Sequence, residues 1–139
     1  MRLEEDIGKT KMKLENNWKN KSLENLAKED WRIFDSDSRL IQRTKELRKI
    51  PLDNFTAEDL RLMIGQGFSL DYLIPLAIEK LTVDILAEGD LYKGDLLLAV
   101  VNASQDYWDK STEQKEELIE LIKTNKDLID EEGLEIEID

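Results

Sequence analysis

The fourteen residues Leu70 to Val83, LDYLIPLAIEKLTV, constrain this chain more than any other stretch. Leu70, Leu73, Ile74, Ala77, Ile78 and Leu81 recur with the period of an α-helix. Tyr72, Leu76 and Val83 spread apolar surface around the remaining faces. A helix that is apolar nearly all round has to be buried, so this one is expected at the centre of the fold. Pro75 falls inside it, where the ring removes one backbone hydrogen bond and bends the axis. A kinked central helix is therefore predicted, and the rest of the chain has to be arranged as its cover.

The flanking segments read as further helices. Before the centre, Thr56 is placed as an N-cap with Glu58 and Asp59 in the first turn, where acids complement the helix dipole. Leu60, Met63 and Ile64 form the apolar stripe of that helix, and Gly67 is expected to stop it. The Gly65-Gln66-Gly67 turn is too short and lacks the lysine of a phosphate-binding loop. Upstream, Ser36 to Lys49 carries Leu40, Thr44 and Leu47 at helical spacing behind the caps Asp35 to Ser38, and Ile50–Pro51 breaks it. Residues 1–34 scatter the anchors Leu3, Ile7, Leu14, Trp18, Leu23, Leu26, Trp31, Ile33 and Phe34 over short helices and irregular chain.

After the centre, Leu96 to Val101 is a six-residue apolar run, read as a helix capped by Asp95, with Tyr107 and Trp108 in the loop that follows. Ser111 or Thr112 caps a helix to about Asn125. Leu118, Ile119, Leu121 and Ile122 supply its buried face, and Glu113, Glu117 and Glu120 lie opposite. From Asp127 onward there are seven acids and no base, and LEIEID alternates as a strand does. The expected fold is all-α: one domain over 1–139, a bundle of about five to six helices that ends in a short strand or a frayed acidic tail over 127–139.

Composition narrows the function. The chain has no histidine and no cysteine, which excludes Ser–His–Asp and Cys–His nucleophiles, HExxH sites and disulfides. Catalysis would have to rest on carboxylates, lysine or tyrosine. The one enzyme-like stretch is Glu88 to Asp95, where Glu88, Asp90 and Asp95 could offer oxygen ligands to Mg²⁺ or Ca²⁺. The EF-hand spacing is missing, and turn-forming glycines with a capping Asp95 account for the same residues. No cofactor is expected. No apolar run reaches the length of a membrane span. MRLEEDIGKTK has acids where a secretory signal needs bases, so the cytoplasm is the expected compartment.

The net charge of -12 is unevenly placed. Residues 1–50 hold 13 Lys/Arg against 10 Asp/Glu, whereas residues 51–139 hold 7 against 22. An acidic surface repels phosphate backbones and disfavours direct nucleic-acid binding; it steers the protein toward a basic partner.

Several ordered motifs then carry a resemblance. PL-x-x-x-T-x-EDLR at Pro51–Arg61, IGQ at Ile64–Gln66, YLIPLA at Tyr72–Ala77 and EGD-x-Y-x-GDLL at Glu88–Leu97 resemble an immunity protein of a contact-dependent growth inhibition system. They are similar to the immunity proteins encoded beside large wall-associated toxins of Gram-positive bacteria. The resemblance covers residues 48–108, and IGKTKMKLENNW near the start also fits. It implies a small cytoplasmic, non-enzymatic protein that binds and blocks a toxin's C-terminal domain, a basic nuclease, without turnover. Charge location then puts the expected contact surface on Trp108, Asp109, Glu113, Glu117, Glu120, Asp127, Asp130, Glu131 and Glu132. The alternative is an adaptor module whose Tyr92/Trp108 region holds another protein's helix.

Overall fold

The helix that begins after Thr56 shows how local chemistry sets the frame. In the computed structural model, which describes residues 17–26 and 38–137 of the 139-residue chain, the Thr56 hydroxyl accepts from the Asp59 N–H at 3.1 Å. The Asp59 carboxylate accepts in return from the Thr56 N–H at 3.0 Å. This reciprocal capping box satisfies two donors that a helix start leaves orphaned. The helix ends where expected. Gly67, at φ 79°, donates to the Ile64 carbonyl and Phe68 donates to that of Met63, the paired bonds of a left-handed glycine stop.

Eight α-helical segments follow one another among the described residues: α1 (Leu23–Leu26), α2 (Arg39–Leu47), α3 (Ala57–Gly65), α4 (Leu70–Val83), α5 (Asp95–Val101), α6 (Gln105–Lys110), α7 (Thr112–Thr124) and α8 (Lys126–Glu131). Short 3₁₀ turns occupy Trp18–Asn20 and Leu52–Asn54. The all-α class holds. The count exceeds the expected five to six because α1, α6 and α8 are pieces of four to six residues. Segments so short have little periodicity to read and form only by packing on neighbours.

α4 sits at the centre, packed against α3, α5 and α7. Leu73, Ile74, Ala77, Ile78 and Leu81 are buried. Pro75 lies in the helix interior, where it withholds the bond residue 75 would donate to the Asp71 carbonyl. One end of the helix departs from expectation: Val83 is 89% exposed. A single apolar core nevertheless gathers side chains from Leu23 to Ile129.

The first described segment is tied to this core. Leu23 is fully buried, the Tyr72 hydroxyl donates to the Leu26 carbonyl, and Trp18 lies 6.1 Å from the Tyr72 ring. The Leu52 N–H donates to Lys21 and that of Glu24 to Arg48. Ser38 caps α2 through the Ile41 N–H, and Arg43 joins α2 to the buried Asp59 at 3.0 Å. The anchors Leu3, Ile7, Leu14, Trp31, Ile33 and Phe34, with the caps Asp35 to Asp37, lie outside the described residues.

Three further expectations are corrected. Tyr107 and Trp108 are not in a loop: Ser104 accepts from the Asp106 N–H and starts α6 around them. Asp95 is not an N-cap but the first residue of α5, with Gly94 at φ 88° before it; its carboxylate faces back along the chain instead. The acidic tail neither frays from Asp127 nor forms a strand within the described residues. It continues as α8, buries Ile129, and then lays Leu134 and Ile136 against the core. The LEIEID alternation reports that one-sided contact. No strand exists beside it to pair with, since the one ladder contact among the described residues is an isolated bridge between Glu88 and Lys93.

Candidate functional site

The Glu88–Asp95 stretch is held by two carboxylates from outside its tip. Asp95, 2% exposed, accepts from the N–H groups of Gly89 at 2.7 Å, Leu91 at 2.9 Å and Tyr92 at 3.3 Å. Glu58, in the first turn of α3, accepts from the Asp90 N–H at 2.7 Å. Arg61 grips Glu58 with both Nε and Nη2, at 2.7 and 2.5 Å, and stands 3.8 Å from Asp95. Hydrogen bonds from Arg61 hold the Glu58 carboxyl below the ordinary carboxylate range, and the Asp90 N–H adds to the effect. Gly89 is obligatory for proximity: a Cβ there would lie 2.5 Å from Glu58 Oε1 and 3.1 Å from Glu58 Cα.

These contacts answer the metal-site alternative. A hard cation needs several carboxylate oxygens converging on one point. Here both Asp95 oxygens are turned onto backbone N–H groups, and no group of three or more carboxylates is poised for an ion among the described residues. Glu88, Asp90 and Asp95 are not brought together as ligands. The stretch is a pinned loop, and it carries Leu91 and Tyr92, 61% and 44% exposed, on the outside.

The expected contact residues divide sharply. Trp108 is buried, packed edge-on to Tyr107 at 5.0 Å, so it is a core side chain and cannot present its ring to a partner. The adaptor reading loses half its groove by the same observation. Asp109 is exposed on α6 and accepts from Gln105 at 2.8 Å. Glu113, Glu117 and Glu120 are exposed along α7. Asp127, Asp130 and Glu131 are exposed on α8 and Glu132 at its end, with Lys126 paired to Asp130 at 2.9 Å. Because α6 packs on α7 and α7 on α8, the exposed acids occupy consecutive, touching elements.

Of these acids, Glu117 lines a groove. It and Gln114 face Pro75, Ile78, Glu79 and Thr82 of α4 across an open cleft of about 370 Å³. Sequence reading missed a second and larger groove, about 580 Å³, between the Leu52–Asn54 turn and the C-terminal half of α4, where Asp53, Asp84 and Glu88 stand on the rim. One signal was present: Val83 lies seven residues after Leu76 on the same helical stripe. The stripe runs past the end of the neighbouring structure, leaving Leu76 as floor and Val83 as rim.

No described helix is long and apolar enough to cross a membrane. No curated protein and no solved structure matches the chain. A family model described as CDI immunity proteins matches residues 19–118. That span takes in the capping box of α3, central α4, the pinned loop and about the first half of α7. It is broader than the 48–108 resemblance and excludes the IGKTKMKLENNW stretch and α8. With that share of its length inside the match, the chain belongs to the family of CDI immunity proteins.

Proposed function

We propose that the chain acts as a stoichiometric, non-enzymatic inhibitor in the cytoplasm, covering the substrate surface of a cognate toxin domain. That domain is a basic nuclease, and the exposed acids of α6, α7 and α8 occupy the surface it uses to grip phosphate. The observation that carries the reading is the run of exposed acids along three touching helices, Asp109, Glu113, Glu117, Glu120, Asp127, Asp130, Glu131 and Glu132. Family membership supplies the toxin as partner, and charge complementarity supplies its sign.

Charge reversal on the exposed face of α7 tests this. Glu113→Lys, Glu117→Lys and Glu120→Lys combined should weaken binding of the neighbouring-gene toxin domain about 30- to 100-fold at low salt, mainly through a slower on-rate. The salt dependence of affinity should flatten. Unchanged affinity and unchanged salt slope would remove α7 from the interface.

A further inference from the structure

The larger groove has a composition that selects its occupant. Its floor is apolar, with Leu52, Phe55 and Leu76 buried beneath it. On the rim Val83 is 89% exposed, more than any other large apolar side chain described. Around this apolar strip stand Asp53, Asp84 and Glu88, all exposed, and among the described residues none of the three has an ion-pair partner. Glu79 also lines the groove but is already paired with Lys19 at 2.6 Å. Among the described residues, Lys80 is the one cation lining it.

We infer that this groove is the docking site for a lysine- or arginine-bearing segment of the toxin domain. The inference rests on the toxin-neutralising reading above and gives it a second, apolar contact region. A cationic side chain is amphipathic, with an aliphatic stem that lies on apolar surface while its charged head stays among acids. Val83, with the half-buried Ala57 and Ala87 beside it, fits the stem; Asp53, Asp84 and Glu88 fit the head. A purely apolar helix would cover the same strip but take Asp53 and Glu88 from water with no partner and leave Asp84 only the Leu86 N–H at 3.0 Å, at a cost burial would not repay. An acidic or phosphate-bearing ligand would meet like charge.

Two features make the groove ready for such a segment. Glu88 leads directly into the loop pinned by Asp95 and Glu58, so that side of the rim is ordered before binding, which lowers the entropic cost of association. Glu79 lines both this groove and the α4–α7 cleft that holds Glu117. The two acidic surfaces are therefore contiguous across α4, and one partner can span them.

The test uses the full chain and a catalytically inactive form of the toxin domain encoded beside it, with affinity measured by calorimetry. Val83→Arg places a cation on the rim at a solvent-exposed site and leaves the core untouched. Asp53→Lys with Glu88→Lys reverses the rim charge. Glu24→Lys with Glu46→Lys changes the net charge equally on the N-terminal half, away from the groove lining. Each groove variant should weaken binding at least tenfold, with thermal midpoints within a few degrees of wild type, while the control changes affinity less than threefold. If the double reversal does not fold, Val83→Arg decides alone. Tight wild-type binding that both groove variants leave unchanged overturns the docking site but leaves the toxin-neutralising reading standing. Equal weakening by groove and control variants also overturns it, since net charge would then account for the effect. A wild-type chain that does not bind the toxin domain overturns both.

Discussion

Removing the Asp95 carboxylate should release the Glu88–Asp95 loop while leaving the helical frame folded. The carboxylate makes two short bonds, to Gly89 and Leu91 N–H, and a longer one to Tyr92. A hydrogen bond to a charged group is worth about 1.5–3 kcal/mol, so the two short bonds bound the loss at about 3–6 kcal/mol. Part is recovered because Leu91 is exposed and water can replace the carboxylate at its N–H. Asp95→Ala should therefore cost about 2–4 kcal/mol. Asp95→Asn keeps one acceptor oxygen but turns an NH₂ toward backbone donors, and should cost about 1.5–3 kcal/mol. For a domain of this size, about 3–5 °C of melting temperature is lost per kcal/mol. Denaturant unfolding gives the free energy, and amide hydrogen exchange gives its location: Gly89 and Leu91 should lose protection ahead of α3 and α4. A loss below about 1 kcal/mol for Asp95→Ala, or unchanged protection at those two amides, would refute the pinning role.

The other expectations concern the same frame. Gly89→Ala should destabilise by about 1–3 kcal/mol in chemical denaturation, because its Cβ would press on the backbone and carboxylate of Glu58. The depressed Glu58 carboxyl contributes stability that is fully present above its ordinary value of 4.5 and is lost as pH falls through the lower native value. Unfolding curves from neutrality into acid should thus fall less steeply for Glu58→Gln than for wild type; parallel curves would contradict the Arg61 pairing. Burial raises the Tyr107 hydroxyl from 10.0 to about 12, so its contribution is complete below pH 10 and disappears as pH rises through 12. Tyr107→Phe should remove about 2–3 kcal/mol of that alkaline loss, read as the difference between the two pH profiles.

What could be read in advance was what is local. The Thr56 cap, the Gly67 stop and the extent of α4 each depend on residues within a few positions of one another, and each stands where the sequence put it. Asp95 was recognised as structural but given the wrong bond. A cap acts on the turn that follows, whereas this carboxylate reaches back to Gly89, six residues earlier, through a turn set by Gly94. Trp108 was read in a loop and assigned to the contact surface, yet a six-residue helix suffices to turn it inward. The larger groove was out of reach altogether. Its walls come from residues 52–57 and 76–88, and the exposure of Val83 depends on where the Leu52–Asn54 turn stops.

A chain with this many carboxylates poses the problem of which ones are for the partner, and pairing within the fold gives a physical criterion. Asp59 answers to Arg43 and its own helix start, Glu58 to Arg61 and Asp90, Asp95 to three backbone N–H groups, Glu79 to Lys19. A carboxylate satisfied in this way contributes little field at a distance, because its partner's charge or dipole cancels it, and breaking it to bind another protein would forfeit the internal bond. Among the described residues Asp53 and Glu88 carry no such partner and Asp84 has only the Leu86 N–H, at 3.0 Å, and the three surround the apolar strip that ends in Val83. The EDLR and EGD-x-Y-x-GDLL motifs meet in the first group, at Glu58, Arg61, Gly89 and Asp95. They build the frame, and on the proposed reading the uncompensated acids it holds outward are the ones whose field a basic toxin surface would meet first.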